Sequence, residues 1–161
     1  MATIARYSPG EFKLPSTAFP AYGIDGQNWE SLAFDATTDE NAYVQDVAPQ
    51  GMTGALTAVI FFRMATATTG SVRWQVAVEM PGAAEDTDAS SFFDAANSNG
   101  GTVPGTAGYR SSISVTLANA DSLAAGSLFR LRVNRDADGT SGTDDATGDA
   151  HVLMVELRDA A

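Results

Sequence analysis

The chain has 161 residues, 20 acidic and nine basic side chains, a formal net charge of −11 and no cysteine. This length predicts one domain, and the lack of cysteine excludes disulfides and thiolate chemistry. The negative charge repels nucleic-acid phosphates, and no run approaches the roughly 20 apolar residues of a membrane span. We therefore expect neither nucleic-acid binding nor membrane insertion.

The first 31 residues show neither helical nor strand periodicity, and three prolines interrupt them. Proline removes backbone donors and blocks regular ladders, so residues 1–31 are predicted to form an extended N-terminal arm. Its apolar side chains are too frequent for a solvated tail. Either the arm lies across another subunit or it folds onto its own sandwich. The candidate docking and oligomer contacts are Tyr7, Phe12, Leu14, Phe19, Tyr22 and Trp29.

Residues 32–161 are predicted to form the folded domain, because short runs in them alternate between apolar and polar side chains. Such alternation indicates strands with one buried face. The clearest pair is a hairpin joining the third and fourth runs. The predicted strands are Leu32–Asp35, Asn41–Val47, Leu56–Met64, Val72–Met80, Tyr109–Leu117, Leu128–Arg135 and His151–Leu157. Short strands and turn-rich connections predict an all-β, single-domain antiparallel β-sandwich of jelly-roll type.

Two long connections, residues 81–108 and 136–149, carry much of the acidic character. In the first, the stretch from Asp88 predicts one or two helical turns. The second offers hard carboxylate oxygens that Ca²⁺ would accept, although it does not match the EF-hand pattern. The alternative is a solvated acidic loop. The candidate ligands are Asp136, Asp138, Asp144, Asp145 and Asp149, and no other cofactor is predicted.

Catalysis has little support in the sequence. The one histidine, His151, starts the last strand and is expected on the same side as Leu153, Val155 and Leu157. No nucleophile elbow, phosphate loop or dinucleotide fingerprint is present. The chain is therefore predicted not to be an enzyme, with no catalytic residues.

Arginine accounts for eight of the nine basic side chains, and several arginines fall on predicted strands. Guanidinium groups suit bidentate pairing with carboxylates. Two alternatives remain open: ordered contacts between subunits, or pairing with Glu79 and Glu156 within one sheet.

Carbohydrate binding would require exposed aromatic side chains. Trp74 aligns with core valines and is expected to be buried, whereas Trp29 and Tyr22 are candidates for exposure. The predicted ligand contacts near the first long loop are Phe92, Phe93 and Tyr109.

Two stretches resemble small structural proteins of tailed bacteriophages. Leu32–Tyr43, with its Phe-Asp-Ala-Thr-Thr phrase, is similar to the opening of their sandwich. Asp121–Asp136 with Gly148–Arg158 is similar to their final hairpin. The resemblance implies a virion component, such as a head decoration, fibre or tail protein. As such a structural protein the chain is expected to form a homo-oligomer, with a trimer favoured. Its N-terminus lacks a charged region followed by a hydrophobic one, so we expect synthesis in the host cytoplasm without a cleaved signal.

The predicted function is that of a non-enzymatic virion structural protein that docks onto capsid or tail proteins through its N-terminal arm. The alternative is a receptor- or carbohydrate-binding module that contacts a cell-surface glycan through residues 81–108 and 136–149.

Overall fold

The computed structural model describes residues 1–159 and shows two packed antiparallel sheets. This arrangement confirms the predicted all-β sandwich. The strands are β1 (Ala2–Tyr7), β2 (Ala21–Ile24), β3 (Glu30–Phe34), β4 (Asn41–Val47), β5 (Leu56–Met64), β6 (Ser71–Glu79), β7 (Asn97–Thr102), β8 (Arg110–Thr116), β9 (Leu128–Arg135) and β10 (Ala150–Asp159). Seven of them match the predicted runs to within two residues at each end.

The six-stranded sheet has the order β2-β3-β10-β5-β8. Strand β1 also belongs to it and pairs with the C-terminal half of β10, while β3 pairs with the N-terminal half of the same edge. The four-stranded sheet has the order β4-β9-β6-β7. Each sheet turns one face inward, and the inward side chains form one continuous core.

The predicted hairpin of β5 and β6 is wrong. β5 pairs with β10 and β8 in the six-stranded sheet, whereas β6 pairs with β9 and β7 in the four-stranded sheet. Residues 65–70 therefore cross from one sheet to the other, and Ala67 in this segment is buried in the core. Gly70 makes the turn at φ +91°, a value that side-chain-bearing residues rarely adopt. The predicted final hairpin is also wrong, because β9 and β10 lie in opposite sheets.

The N-terminal segment is part of the sandwich and not a free arm, so the structure has the second of the two expected arrangements. β1 pairs along β10, and Lys13 forms a bridge to Tyr43 of the four-stranded sheet. Tyr7 and Phe12 are buried and meet edge to face, with ring centroids 6.5 Å apart. The Tyr7 hydroxyl donates a hydrogen bond to Asp46 over 3.1 Å. The segment thus contacts both sheets, and burial of its aromatic rings is the physical reason that it does not project.

Trp74 occupies the centre of the core, as its alignment with valines predicted. Its side chain is completely buried, and the rings of Phe34 and Phe62 pack edge-on against it at 5.2 and 5.9 Å. These two phenylalanines come from the six-stranded sheet, so the aromatic cluster joins both layers. Edge-to-face pairs add about 0.5–1.5 kcal/mol each beyond the burial of their area.

Helical structure is confined to a single 3-10 turn at Pro9–Glu11 among the described residues. The helical turns predicted from Asp88 onward are wrong: residues 87–89 form an isolated turn and residues 90–96 run without regular structure. No helix within residues 1–159 has the length and apolar character to cross a membrane.

Candidate functional site

A groove of about 380 Å³ lies on the outer face of the six-stranded sheet, at the end where the β2–β3 turn meets β5 and β8. Three strands contribute side chains that face away from the core, and the β2–β3 turn contributes an aromatic wall. The lining residues are Trp29, Arg63, Gly108, Arg110 and Leu153. We refer to this depression as the Trp29 groove.

Trp29 is 59% exposed although it belongs to a rigidly held turn. The turn between β2 and β3 closes around Asp25, whose Oδ1 accepts hydrogen bonds from the backbone N–H groups of Gln27 and Trp29 at 2.8 and 3.0 Å. The Asp25 N–H in turn donates to the Trp29 carbonyl at 3.0 Å. Asn28 takes the left-handed conformation at φ +64°, which asparagine tolerates better than most residues. The indole is therefore presented by a fixed backbone.

Asp25 also connects this turn to the sheet. Its Oδ2 lies 2.7 Å from Nη2 of Arg63 on β5. Hydrogen bonds from the Trp29 backbone, the Arg63 side chain and the Gln27 backbone hold the pKa of Asp25 below its usual value. The carboxylate thus stays ionised and keeps the turn that bears Trp29 against the groove.

A second guanidinium lines the groove beside Arg63. Arg110 on β8 is the register partner of Arg63 on β5. Its Cζ lies 5.5 Å from the ring centroid of Phe61, which also faces outward on β5. Stacking on an aromatic face supports the long side chain without using its N–H donors.

His151 lies beside Arg63 in the same register row, and the structure corrects its expected orientation. β10 contains a bulge between Val152 and Met154, where one extra residue reverses the alternation of side chains. His151 consequently faces outward, while Val155 and Leu157 are buried. Its Nδ1 lies 3.3 Å from the Ser31 hydroxyl. Burial lowers the pKa of His151, and the nearby positive charge of Arg63 lowers it further. The imidazole is therefore neutral at pH 7.

The predicted ligand aromatics fall in different places. Tyr109 is 66% exposed and sits in the chain between two lining residues of the groove. Phe93 instead packs on the outer face of the other sheet, 5.1 and 5.3 Å from the guanidinium carbons of Arg130 and Arg132. Phe92 is half-buried next to it, and its N–H donates to Glu79 at 2.6 Å. The two phenylalanines therefore hold residues 81–96 onto the four-stranded sheet and do not reach the Trp29 groove.

The residues predicted to dock other subunits are also divided by the fold. Tyr7 and Phe12 are core residues and Leu14 is half-buried against them, so these three are not available for docking. Phe19, Tyr22 and Trp29 are exposed. Docking by an N-terminal arm, assembly into a trimer and a virion location stay predictions that no contact within the chain tests.

The five carboxylates predicted to bind Ca²⁺ do not meet at one point. Asp144 forms a buried ion pair with Arg135, and Asp145 accepts the Ser71 N–H at 2.7 Å. Asp136 and Asp138 approach Asp39 instead, with carboxylate oxygens within 4.8 Å of one another. The predicted five-residue site is therefore wrong in composition, because Asp144 and Asp145 instead bind Arg135 and Ser71 of the neighbouring strands.

Asp136 also has its hydrogen-bond partners within the protein. Its carboxylate accepts four hydrogen bonds, from the Gln75 amide, the Thr140 hydroxyl, and the backbone and side chain of Ser141, at 2.6–3.1 Å. Burial alone would raise the pKa of Asp136, but these hydrogen bonds outweigh it and leave the pKa below its usual value. The carboxylate is satisfied within the protein.

The arginine pairing within sheets is confirmed. Arg130 pairs with the buried Glu79 across β9 and β6, and Arg158 and Arg6 both contact Glu156. Sequence reasoning did not place Arg110 in a site. The signal that could have done so is its position one residue after Tyr109 at the start of a strand, but the partner strand was not deducible from spacing.

Neither a protein-family model nor a curated protein sequence matches the chain. Solved structures with the same fold are found. The carbohydrate binding module CBM6cm-2 from Cellvibrio mixtus lichenase 5A, in complex with cellotriose, matches with a TM-score of 0.52 at 8% identity, covering 99% of each chain. The CBM22-1 xylan-binding domain from Paenibacillus barcinonensis matches with a TM-score of 0.51 at 13% identity, covering 99% of this chain and 98% of the domain.

An exo-β-1,3-galactanase from Phanerochaete chrysosporium, solved with galactose, matches with a TM-score of 0.53 at 12% identity. This chain is covered over 98% of its length but spans 30% of the galactanase chain. At such identities the likeness establishes the fold. This chain therefore has the β-sandwich fold of these carbohydrate-binding modules.

Proposed function

We propose that the chain is a non-catalytic carbohydrate-binding module and that its ligand lies in the Trp29 groove. The observation that carries this proposal is an exposed indole, fixed by a hydrogen-bonded turn, at the wall of a groove whose other side chains include two guanidinium groups. Three solved structures with this fold are described as carbohydrate-binding or sugar-bound proteins, which supports the proposal.

The chemistry of the groove suits a sugar ring. The C–H face of a pyranose is apolar and can cover the face of an indole, which offers a large contact area at low conformational cost. Hydroxyl groups at the ring edge both donate and accept hydrogen bonds, and the guanidinium groups of Arg63 and Arg110, which also line the groove, carry such donors. Ligand sites commonly combine an apolar surface with a few such polar groups.

Preorganisation supports the same conclusion. Asp25 fixes the turn that carries Trp29 and simultaneously contacts Arg63, so two walls of the groove are tied together before a ligand arrives. A site that is already ordered loses less entropy on binding than a mobile loop does. The long loops that the sequence favoured contribute only Gly108 to the lining of the groove, so the site that we propose differs from the predicted one: it touches the end of residues 81–108 and does not include residues 136–149.

A glycan array with the full chain tests this proposal. We expect bound glycans that are lost in Trp29→Ala and retained in Tyr22→Ala, which removes an exposed aromatic ring of β2 outside the groove. Thermal unfolding of both variants should match the parent protein, because both side chains are exposed. An array with no bound glycan, or equal binding by Trp29→Ala, would contradict the proposed function.

A further inference from the structure

The lining of the Trp29 groove is positively charged, whereas the net charge of the whole protein is negative. The chain carries a net charge of −11, yet the groove is lined by two arginines with one contacting carboxylate, that of Asp25. The neighbouring His151 is neutral at pH 7 because its pKa is lowered. The groove is thus a local positive site on a protein with a negative net charge.

Most of the arginines on the strands already have carboxylate partners. Arg6, Arg130, Arg135 and Arg158 form ion pairs with glutamate or aspartate, and Arg63 pairs with Asp25. Arg110 is exposed and makes no ion pair with any residue from 1 to 159. The Phe61 ring supports its guanidinium at 5.5 Å, next to the indole of Trp29 in the groove.

We infer that the groove selects an acidic glycan, in which Arg110 binds an oxyanion on the sugar that covers Trp29. This inference rests on the proposed function and names the class of its ligand. The oxyanion is the carboxylate of a uronic acid or a sulfate ester, since both accept paired hydrogen bonds from the guanidinium fork. Arg63 adds a second positive charge, which Asp25 partly neutralises.

The net negative charge of the protein adds selectivity. A polyanion without a sugar ring meets the repulsion of a protein with a net charge of −11 and gains nothing from the indole. A neutral glycan can cover the indole but leaves the charge of Arg110 without a partner. An acidic sugar satisfies both groups at once, and this combination distinguishes the ligand class.

Calorimetric titration of the full chain with paired oligosaccharides tests the inference. The first pair is an oligogalacturonate and its methyl ester, which share a backbone and differ in charge. The second pair is a sulfated galactan oligosaccharide and its desulfated form. We expect one acidic member to bind at least about tenfold more tightly than its neutral counterpart, the factor expected for one charge-assisted hydrogen-bond pair. The pair that shows the preference identifies the oxyanion.

Variants separate this inference from the proposed function. Arg110→Gln should abolish the preference, because it weakens binding of the acidic member much more than binding of the neutral member, whereas Lys13→Gln changes the net charge equally at an exposed site outside the groove and should leave the preference intact. Loss of all binding in Trp29→Ala, together with equal affinity for both members of each pair, would overturn the inference and keep the proposed function. Equally tight binding of a polyaspartate of matched charge would also overturn the inference. No binding of any oligosaccharide would overturn both.

Discussion

Arg135 and Asp144 form an ion pair in the interior of the sandwich, with side-chain exposures of 0% and 1%. Nε and Nη2 of the arginine donate hydrogen bonds to the two carboxylate oxygens at 3.0 and 2.7 Å. The guanidinium also donates to the carbonyls of Ala146 and Gly148 at 2.6 and 2.8 Å. The acidic loop of residues 136–149 is therefore anchored from inside the protein, and this anchoring keeps Asp144 away from the other carboxylates predicted to bind Ca²⁺.

Replacing Asp144 by asparagine should strongly destabilise the fold. The substitution preserves shape but leaves the Arg135 charge buried without a counter-charge, a loss that costs about 3–5 kcal/mol in comparable cases. Urea unfolding followed by circular dichroism measures the change. The control Asp88→Asn alters an exposed carboxylate of the other long loop and should change the free energy of unfolding by less than about 0.5 kcal/mol. Equal effects of the two variants would contradict the buried pair.

Phe93 should hold residues 81–96 on the four-stranded sheet. Its ring contacts two guanidinium groups, those of Arg130 and Arg132, and lies 5.8 Å from the ring of Tyr43. Phe93→Ala should lower the free energy of unfolding by about 1–2 kcal/mol, since cation–π contacts contribute about 0.5–2 kcal/mol each. It should also expose the segment to limited proteolysis. Phe92→Ala keeps the N–H that binds Glu79 and serves as the control; identical cleavage rates in the two variants would disprove the anchoring role.

The alternation of side chains was sufficient to locate most strands but not to pair them. β5 and β6 both show strand patterns, and the six residues between them are compatible with a hairpin or with a crossing between sheets. Which of the two connections forms depends on the strands that pair with β5 and with β6, and most of those strands lie far away in sequence. Hydrophobic periodicity is a local property, whereas pairing depends on contacts across the whole chain.

The three strands absent from the prediction lack a strand pattern for different reasons. β7 has the sequence Asn-Ser-Asn-Gly-Gly-Thr and forms because β6 offers an edge on which it can pair. Gly100 fits there because a Cβ atom would come within 3.1 Å of the Val72 carbonyl. β1 and β2 lie among prolines, and β2 is exposed along its whole length. Tertiary pairing overrides weak intrinsic propensity at these positions.

Only the aromatic residues of the candidate site could be predicted from the sequence. Trp29 was a candidate for exposure, and Tyr109 borders the groove, but the grouping of Arg63 with Arg110 depends on the pairing of β5 with β8. The bulge in β10 is a further feature that periodicity does not reveal. It turns His151 toward the groove side of the sheet and adds Leu153 to the lining.

His151 should make stability fall as the pH drops below about 6.5, the ordinary pKa of histidine. Its pKa is lowered in the folded protein by burial and by Arg63, and the opposing charges of Asp149 and Asp25 are weaker. The unfolded chain has the ordinary value near 6.5, so it binds the proton first as the pH falls. The contribution is therefore fully present above about pH 6.5 and is lost as the pH falls toward the folded pKa.

The variant His151→Gln removes this titration. Urea unfolding of both proteins at several pH values should show a smaller decline for the variant below about pH 6.5. Asp39 and Glu40 have pKa values raised by burial, which acts in the opposite direction in a more acidic range. Both proteins contain these groups, so the difference between the two curves isolates the histidine. Parallel curves would show that the imidazole is not perturbed.

Tryptophan fluorescence should separate the core from the candidate site. The chain has two tryptophans; Trp74 is completely buried and Trp29 is 59% exposed. Acrylamide should therefore quench one component of the emission readily and leave the other nearly unquenched. Trp29→Phe should remove the quenchable component, because the remaining indole, that of Trp74, is buried between the two sheets. A bound glycan that covers Trp29 should protect that component in the parent protein. Strong quenching in Trp29→Phe would contradict the burial of Trp74, and unchanged quenching on saturation with glycan would place the ligand away from the indole.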